Sequence, residues 1–94
     1  MATLIIHNRE DVLEQVRQAL IGRGHVCFMA RDNAEGQKIM KDNPAVTWRL
    51  IVAQKRFPEK TTPIRVYVPE AGLWDDMELF WREVNKITPG LSPT

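Results

Sequence analysis

Three short apolar runs, separated by stretches of helical periodicity, restrict this chain to an α/β fold. The first is Leu4-Ile5-Ile6 and the second is His25–Ala30 (HVCFMA). The third lies in TWRLIVAQ, centred on Leu50, Ile51 and Val52. Apolar runs of this length, without alternation, suit strands buried on both faces. Between the first two, Val12, Val16 and Ala19, flanked by Leu13 and Leu20, recur at helical spacing and form one apolar stripe. Asn8 is placed to cap that helix, with Asp11 three residues on. Gly22 and Gly24 supply its stop, since glycine tolerates the left-handed conformation. Between the second and third runs, Asp32 or Asn33 caps a shorter helix and Glu35 lies three residues after Asp32. Ile39 and Met40 give that helix its apolar contact, Gly36 weakens it, and Asn43-Pro44 ends it.

The connection after the third run, KRFPEKTTP, has about nine residues and two prolines, whereas a parallel crossover takes roughly a dozen or more. Ile64–Val68 is therefore expected to return as an antiparallel hairpin strand at the sheet edge. Ile64, Val66 and Val68 alternate there with Arg65 and Tyr67, and Pro69 ends the strand. The segment GLWDDMELFWREVNKI reads as one helix. Met77, Phe80, Val84 and Ile87 form its stripe, which Leu73, Trp74 and Trp81 widen. Asp75, Asp76 and Glu78 at the start and Lys86 at the end suit the helix dipole. The expected fold is α/β with the order βαβαββα: a four-stranded, mostly parallel sheet of order 2-1-3-4, an antiparallel last strand and three helices. Residues 1–88 read as one domain and 89–94 as a flexible tail.

Composition narrows the function classes. The chain has 94 residues, 44% of them hydrophobic, enough for a core and too many for disorder. Thirteen Lys and Arg against 12 Asp and Glu leave a net charge of +1, so no global field attracts nucleic acid. One cysteine and two histidines offer no clustered ligand set, and neither a metal nor a cofactor is expected. MATLIIHN lacks the basic start of a secretory signal, and no apolar stretch approaches the roughly 18 residues of a membrane span. A cytoplasmic protein without a membrane partner is expected.

In pattern, TLIIHNREDVL, HVCFMARDNAEGQKIMKDNP, RLIVAQKRFP and TPIRVYVP resemble the first four strands and intervening segments of a response-regulator receiver domain. The likeness covers roughly the first seventy residues. It implies a flavodoxin-like sheet whose first strand ends in an acidic pair and whose third ends in a phosphoacceptor aspartate. Here those positions hold His7, Asn8 and Gln54, and the hydroxyl residue of the fourth strand falls on Val68. Neither an amide nor a neutral imidazole replaces two carboxylates around magnesium, and an amide forms no acyl phosphate. The resemblance therefore implies a shortened, non-phosphorylatable receiver-like module. A thioredoxin-like core shares the strand order. It lacks its chemistry here, because Cys27 lies within the second strand and no Cys-x-x-Cys follows the first. The direction of strand three relative to strand one separates the two arrangements.

Three sets of residues are candidates for function. His7, Asn8 and Gln54 fall at strand ends, with Asp32 and Lys55 nearby, where open α/β sheets bind ligands. His7 as a general base is one reading; strand termination by His7 and helix capping by Asn8 is the other. Arg49, Lys55, Arg56, Lys60 and Arg65, with Phe57 and Tyr67 among them, would form a basic hairpin able to meet phosphates or an acidic protein. The alternative is that these charges protect an edge strand. Trp74 and Trp81, seven residues apart, with Leu73 and Met77, offer more apolar helix surface than one sheet contact requires; packing beside Trp48 is the other account. Cys27 reads as a small core residue and His25 as a surface histidine. The expected function is a non-catalytic protein-interaction or regulatory module, binding a protein partner or a second copy through the last helix and the basic hairpin. A nucleic-acid-binding accessory protein is the alternative.

Overall fold

β1 (Ala2–Ile6) occupies the middle of the sheet because every one of its residues must be hidden from water. The computed structural model describes residues 2–22, 25–57 and 64–88. Around β1 the chain places α1 (Glu10–Ile21), β2 (Val26–Ala30), α2 (Asn33–Asp42), β3 (Trp48–Ala53) and β4 (Arg65–Tyr67). A 3₁₀ turn (Ala71–Asp75) and α3 (Met77–Ile87) follow. The strand order is β2-β1-β3-β4, as expected, and β1 pairs in parallel with both β2 and β3. That direction is the feature on which the two sequence-derived arrangements differed.

Each strand splits its side chains between two cores. Ile5, Leu50 and Val52 face α1 and α3, where they pack with Val12, Val16, Leu20, Phe80 and Val84. Leu4, Ile6, Ile51 and Ala53 face the other way, with Ala30 and Phe57; Ile39 and Met40 of α2 pack against them. Gly36 is essential to this second face. A Cβ there would lie 2.7 Å from Ile6 Cδ1 and 3.4 Å from Leu4 Cδ2, so its missing side chain lets α2 approach β1. The same glycine that weakens the helix seats it.

β4 corrects the hairpin expectation, because it runs parallel to β3, with Leu50, Ile51 and Val52 opposite Arg65, Val66 and Tyr67. β4 is only three residues long, and residues 58–63 of the connection lie outside the described residues. The return run along so short a strand is about 10 Å. Phe57 is buried and Ile64 half-buried, both on the α2 face of the sheet. Counting residues against a helical crossover missed a buried aromatic acting as the anchor.

Two helix ends also differ from expectation. Asn8 does not cap α1: Arg9 is the N-cap residue, without a side-chain cap, and Gly22 stays right-handed at φ −61°. The last helix is broken at Asp76, whose carboxylate accepts from Leu79 N–H at 3.2 Å. Trp74 therefore belongs to the 3₁₀ turn and not to α3. Asp32 caps α2 as expected, accepting from Glu35 N–H at 2.8 Å. The tail, 89–94, and Gly24 lie outside the described residues.

Candidate functional site

β1 and β2 are joined on one side of the sheet and β3 lies on the other, so the C-terminal ends of β1 and β3 flank a topological switch point, the usual ligand position in open α/β sheets. A cleft of about 180 Å³ opens there, lined by Ile6, Asn8, Arg31, Asp32, Asn33, Gln54 and Lys55. Asn8 and Gln54 meet as the sequence suggested, through Asn8 N–H donating to Gln54 Oε1 at 3.1 Å. Gln54 N–H in turn donates to Ile6 C=O at 2.9 Å. The bond ties the β3 end to the β1 loop and occupies the Gln54 amide oxygen. Arg31 and Asn33 are additional lining residues; they follow β2 directly, a position marked only by their place at a strand end.

His7 turns away from this cleft. It is 4% exposed, and its ring meets Trp74 edge-on with centroids 4.6 Å apart. Nδ1 accepts the Arg9 N–H at 3.0 Å, so the imidazole supplies the acceptor that Asn8 was expected to give. A ring accepting at Nδ1 is neutral with its proton on Nε2. Burial, helped by the Arg9 charge, lowers the His7 pKa from its ordinary 6.5. With Nδ1 committed and the ring covered, His7 terminates a strand and starts a helix; it does not face a substrate cleft as a base would.

Three of the other polar groups in the cleft are committed to neighbours outside it. Asp32 caps α2, Arg31 pairs with Glu10, and Asn33 Nδ2 donates to Arg56 C=O at 2.8 Å. Among the described residues, no group of three His, Cys, Asp or Glu could hold a metal. Cys27 is half-buried beside the α1 core and burial pushes its thiol pKa up, which opposes thiolate chemistry. A larger cleft, about 440 Å³, lies along α1 and β2; there Arg17 donates to Glu14 at 2.7 Å and Arg31 pairs with Glu10.

Among the described residues, the basic side chains do not form one patch. Arg49 and Arg65 sit at the N-terminal ends of β3 and β4, while Lys55 and Arg56 follow the far end of β3, roughly 20 Å away. Arg65 donates to Ile87 C=O at 2.6 Å, closing the C-terminal end of α3. Phe57 is in the core, and Lys60 lies outside the described residues.

The tryptophans give the largest correction to the expected binding surface. Trp74 is 3% and Trp81 7% exposed. Trp74 packs between His7 and Phe80, and Trp81 meets Phe80 edge-on at 5.0 Å. Leu73 and Met77 are partly covered. The wide apolar arc is filled because α3 and the 3₁₀ turn together cover the sheet face that α1 leaves open. The apolar side chains left to solvent lie elsewhere and in two places: Ile21 and Val26, at the end of α1 and the start of β2, and Val66 and Val68 at β4, where Trp48 and Ile64 are half-covered on the α2 face. None of the helices in the described residues is long and apolar enough to cross a membrane. Comparison with protein families, curated proteins and solved structures finds no match for this chain.

Proposed function

We propose that this chain is a small, non-catalytic interaction or regulatory module of the receiver-like kind, cytoplasmic, binding a protein through the β3–β4 side of its sheet. The observation behind this reading is the partly exposed apolar strip formed by Trp48, Ile64 and Val66 beside the β4 edge. Exposed apolar surface at a sheet edge that pairs with no further strand among the described residues suits partner binding. The strand-end cleft supports the non-catalytic part, since its amides and charges are engaged in capping and pairing.

The test is affinity capture with tagged wild-type protein, Trp48→Ala, Val66→Lys and Gln54→Ala. The expected result is a partner retained by wild type and Gln54→Ala and lost with the two β3–β4 variants. A partner lost only with Gln54→Ala, or one held equally by all four, overturns the assignment of the surface. Recovery of nucleic acid, sensitive to salt and to charge reversal at Lys55 and Arg56, would favour the nucleic-acid reading instead.

A further inference from the structure

The segment around β4 is nearly symmetric about Val66: Pro63-Ile64-Arg65-Val66-Tyr67-Val68-Pro69. Reversed, it still places a proline at each end, an apolar branched residue next, and Arg65 against Tyr67. An edge strand that reads alike in both directions is suited to antiparallel pairing with itself across a two-fold axis, because such an interface presents the same patch twice.

We propose that β4 pairs antiparallel with β4 of a second copy of this chain, joining two four-stranded sheets into one of eight strands. The inference rests on the β3–β4 side being the binding surface, and adds the identity of the occupant. With the axis at Val66, Val66 meets Val66 and Ile64 meets Val68 of the second copy, bringing the exposed apolar strips together. β-branched pairs are favourable directly across an antiparallel ladder. The prolines confine pairing to the five residues between them.

Charge complementarity points to the same occupant. Arg65 lies on the α3 face at the N-terminal end of β4, since it reaches Ile87 C=O. At the other end of β4, on the same face, is a cleft of about 400 Å³ lined by Tyr67, Val68, Glu70, Leu73, Leu79 and Glu83. Glu83 and Glu70 both line this cleft and add to burial in pushing the Tyr67 pKa up, so this end carries acidic groups. Glu83 is paired with Lys86, and Glu70 is exposed. Two-fold antiparallel pairing sets the cationic end of each edge beside the acidic end of the other. Arg65 then lies opposite Tyr67 of the second copy. Parallel or shifted pairing would lose this match.

A pairing of five residues belongs to the weak, concentration-dependent class of interfaces. The experiment is sedimentation equilibrium of the full chain up to about 1 mM, the weak end of measurable affinity. Wild type should move toward twice the chain mass with rising concentration, Glu70→Lys should raise the dissociation constant several-fold, and Val66→Lys should stay monomeric. Because Val66→Lys can perturb folding, Cys27→Ser/Val66→Cys provides a second measurement: oxidation should give a covalent dimer, and Cys27→Ser/Val26→Cys at the opposite edge should not. Wild type monomeric throughout, or equal cross-linking at both edges, overturns self-pairing. Should capture of another protein still depend on Trp48 and Val66 in that case, the interaction-module reading stands without it.

Discussion

Replacing His7 tests whether the strand-end histidine serves structure or chemistry. His7→Ala removes three things at once. The Arg9 N–H at the start of α1 loses its acceptor, worth about 1 kcal/mol by comparison with helix caps. The edge contact on Trp74 is lost, worth about 0.5–1.5 kcal/mol. A buried ring is also replaced by a methyl group. The sum is about 2–3 kcal/mol, or about 10 °C in melting temperature for a domain of this size. His7→Asn restores an acceptor near the Arg9 N–H but not the ring, and should recover about 1 kcal/mol. Urea unfolding followed by tryptophan fluorescence reads both. A cost below about 0.5 kcal/mol for His7→Ala, typical of surface substitutions, would refute the assignment. So would an Asn variant no better than Ala.

The same site predicts a pH dependence. The folded chain holds the His7 proton less readily than the unfolded chain, because the folded-state pKa is lowered from 6.5. The stabilisation is therefore complete above that value and is lost as pH falls below it toward the folded-state pKa. Wild type should lose stability relative to His7→Asn over that range; an unchanged difference between them would contradict the neutral, Nδ1-accepting ring.

Three further outcomes follow from the packing. Gly36→Ala gains about 1 kcal/mol of helix propensity but sets a methyl 2.7 Å from Ile6 Cδ1, at a cost of about 1–3 kcal/mol; denaturant midpoints should show net destabilisation, relieved in an Ile6→Val background that lacks that atom. Asp76→Ala should cost about 1 kcal/mol through loss of the α3 cap, read by circular dichroism on thermal unfolding. Trp81→Ala should cost about 3–5 kcal/mol as a core deletion, and a near-neutral change would restore it to the candidate binding surface.

The sheet order was legible because Leu4–Ile6 and Leu50–Val52 are continuous apolar runs, a pattern only doubly covered strands need. The direction of β4 was not, because the length rule assumes a helical crossover and Phe57 sat among basic residues that disguised it as surface. The last helix misled for a related reason. Trp74 keeps the helical period with Trp81 across a helix break at Asp76, and periodicity does not register a break that preserves phase. At the candidate site, the sequence placed Asn8 and Gln54 together but reversed the roles of His7 and Asn8. Asn is the better cap by propensity, yet the depth of the Trp74 contact decides which side chain turns inward, and that contact spans most of the chain.

Amide hydrogen exchange at different protein concentrations tests whether the β4 edge is the interaction surface and a second copy occupies it. Exchange across residues 64–68 should slow as concentration rises, while exchange across β2, the opposite edge, should not change. Rates at 64–68 that are independent of concentration, or slowing confined to β2 or α3, would contradict that pairing.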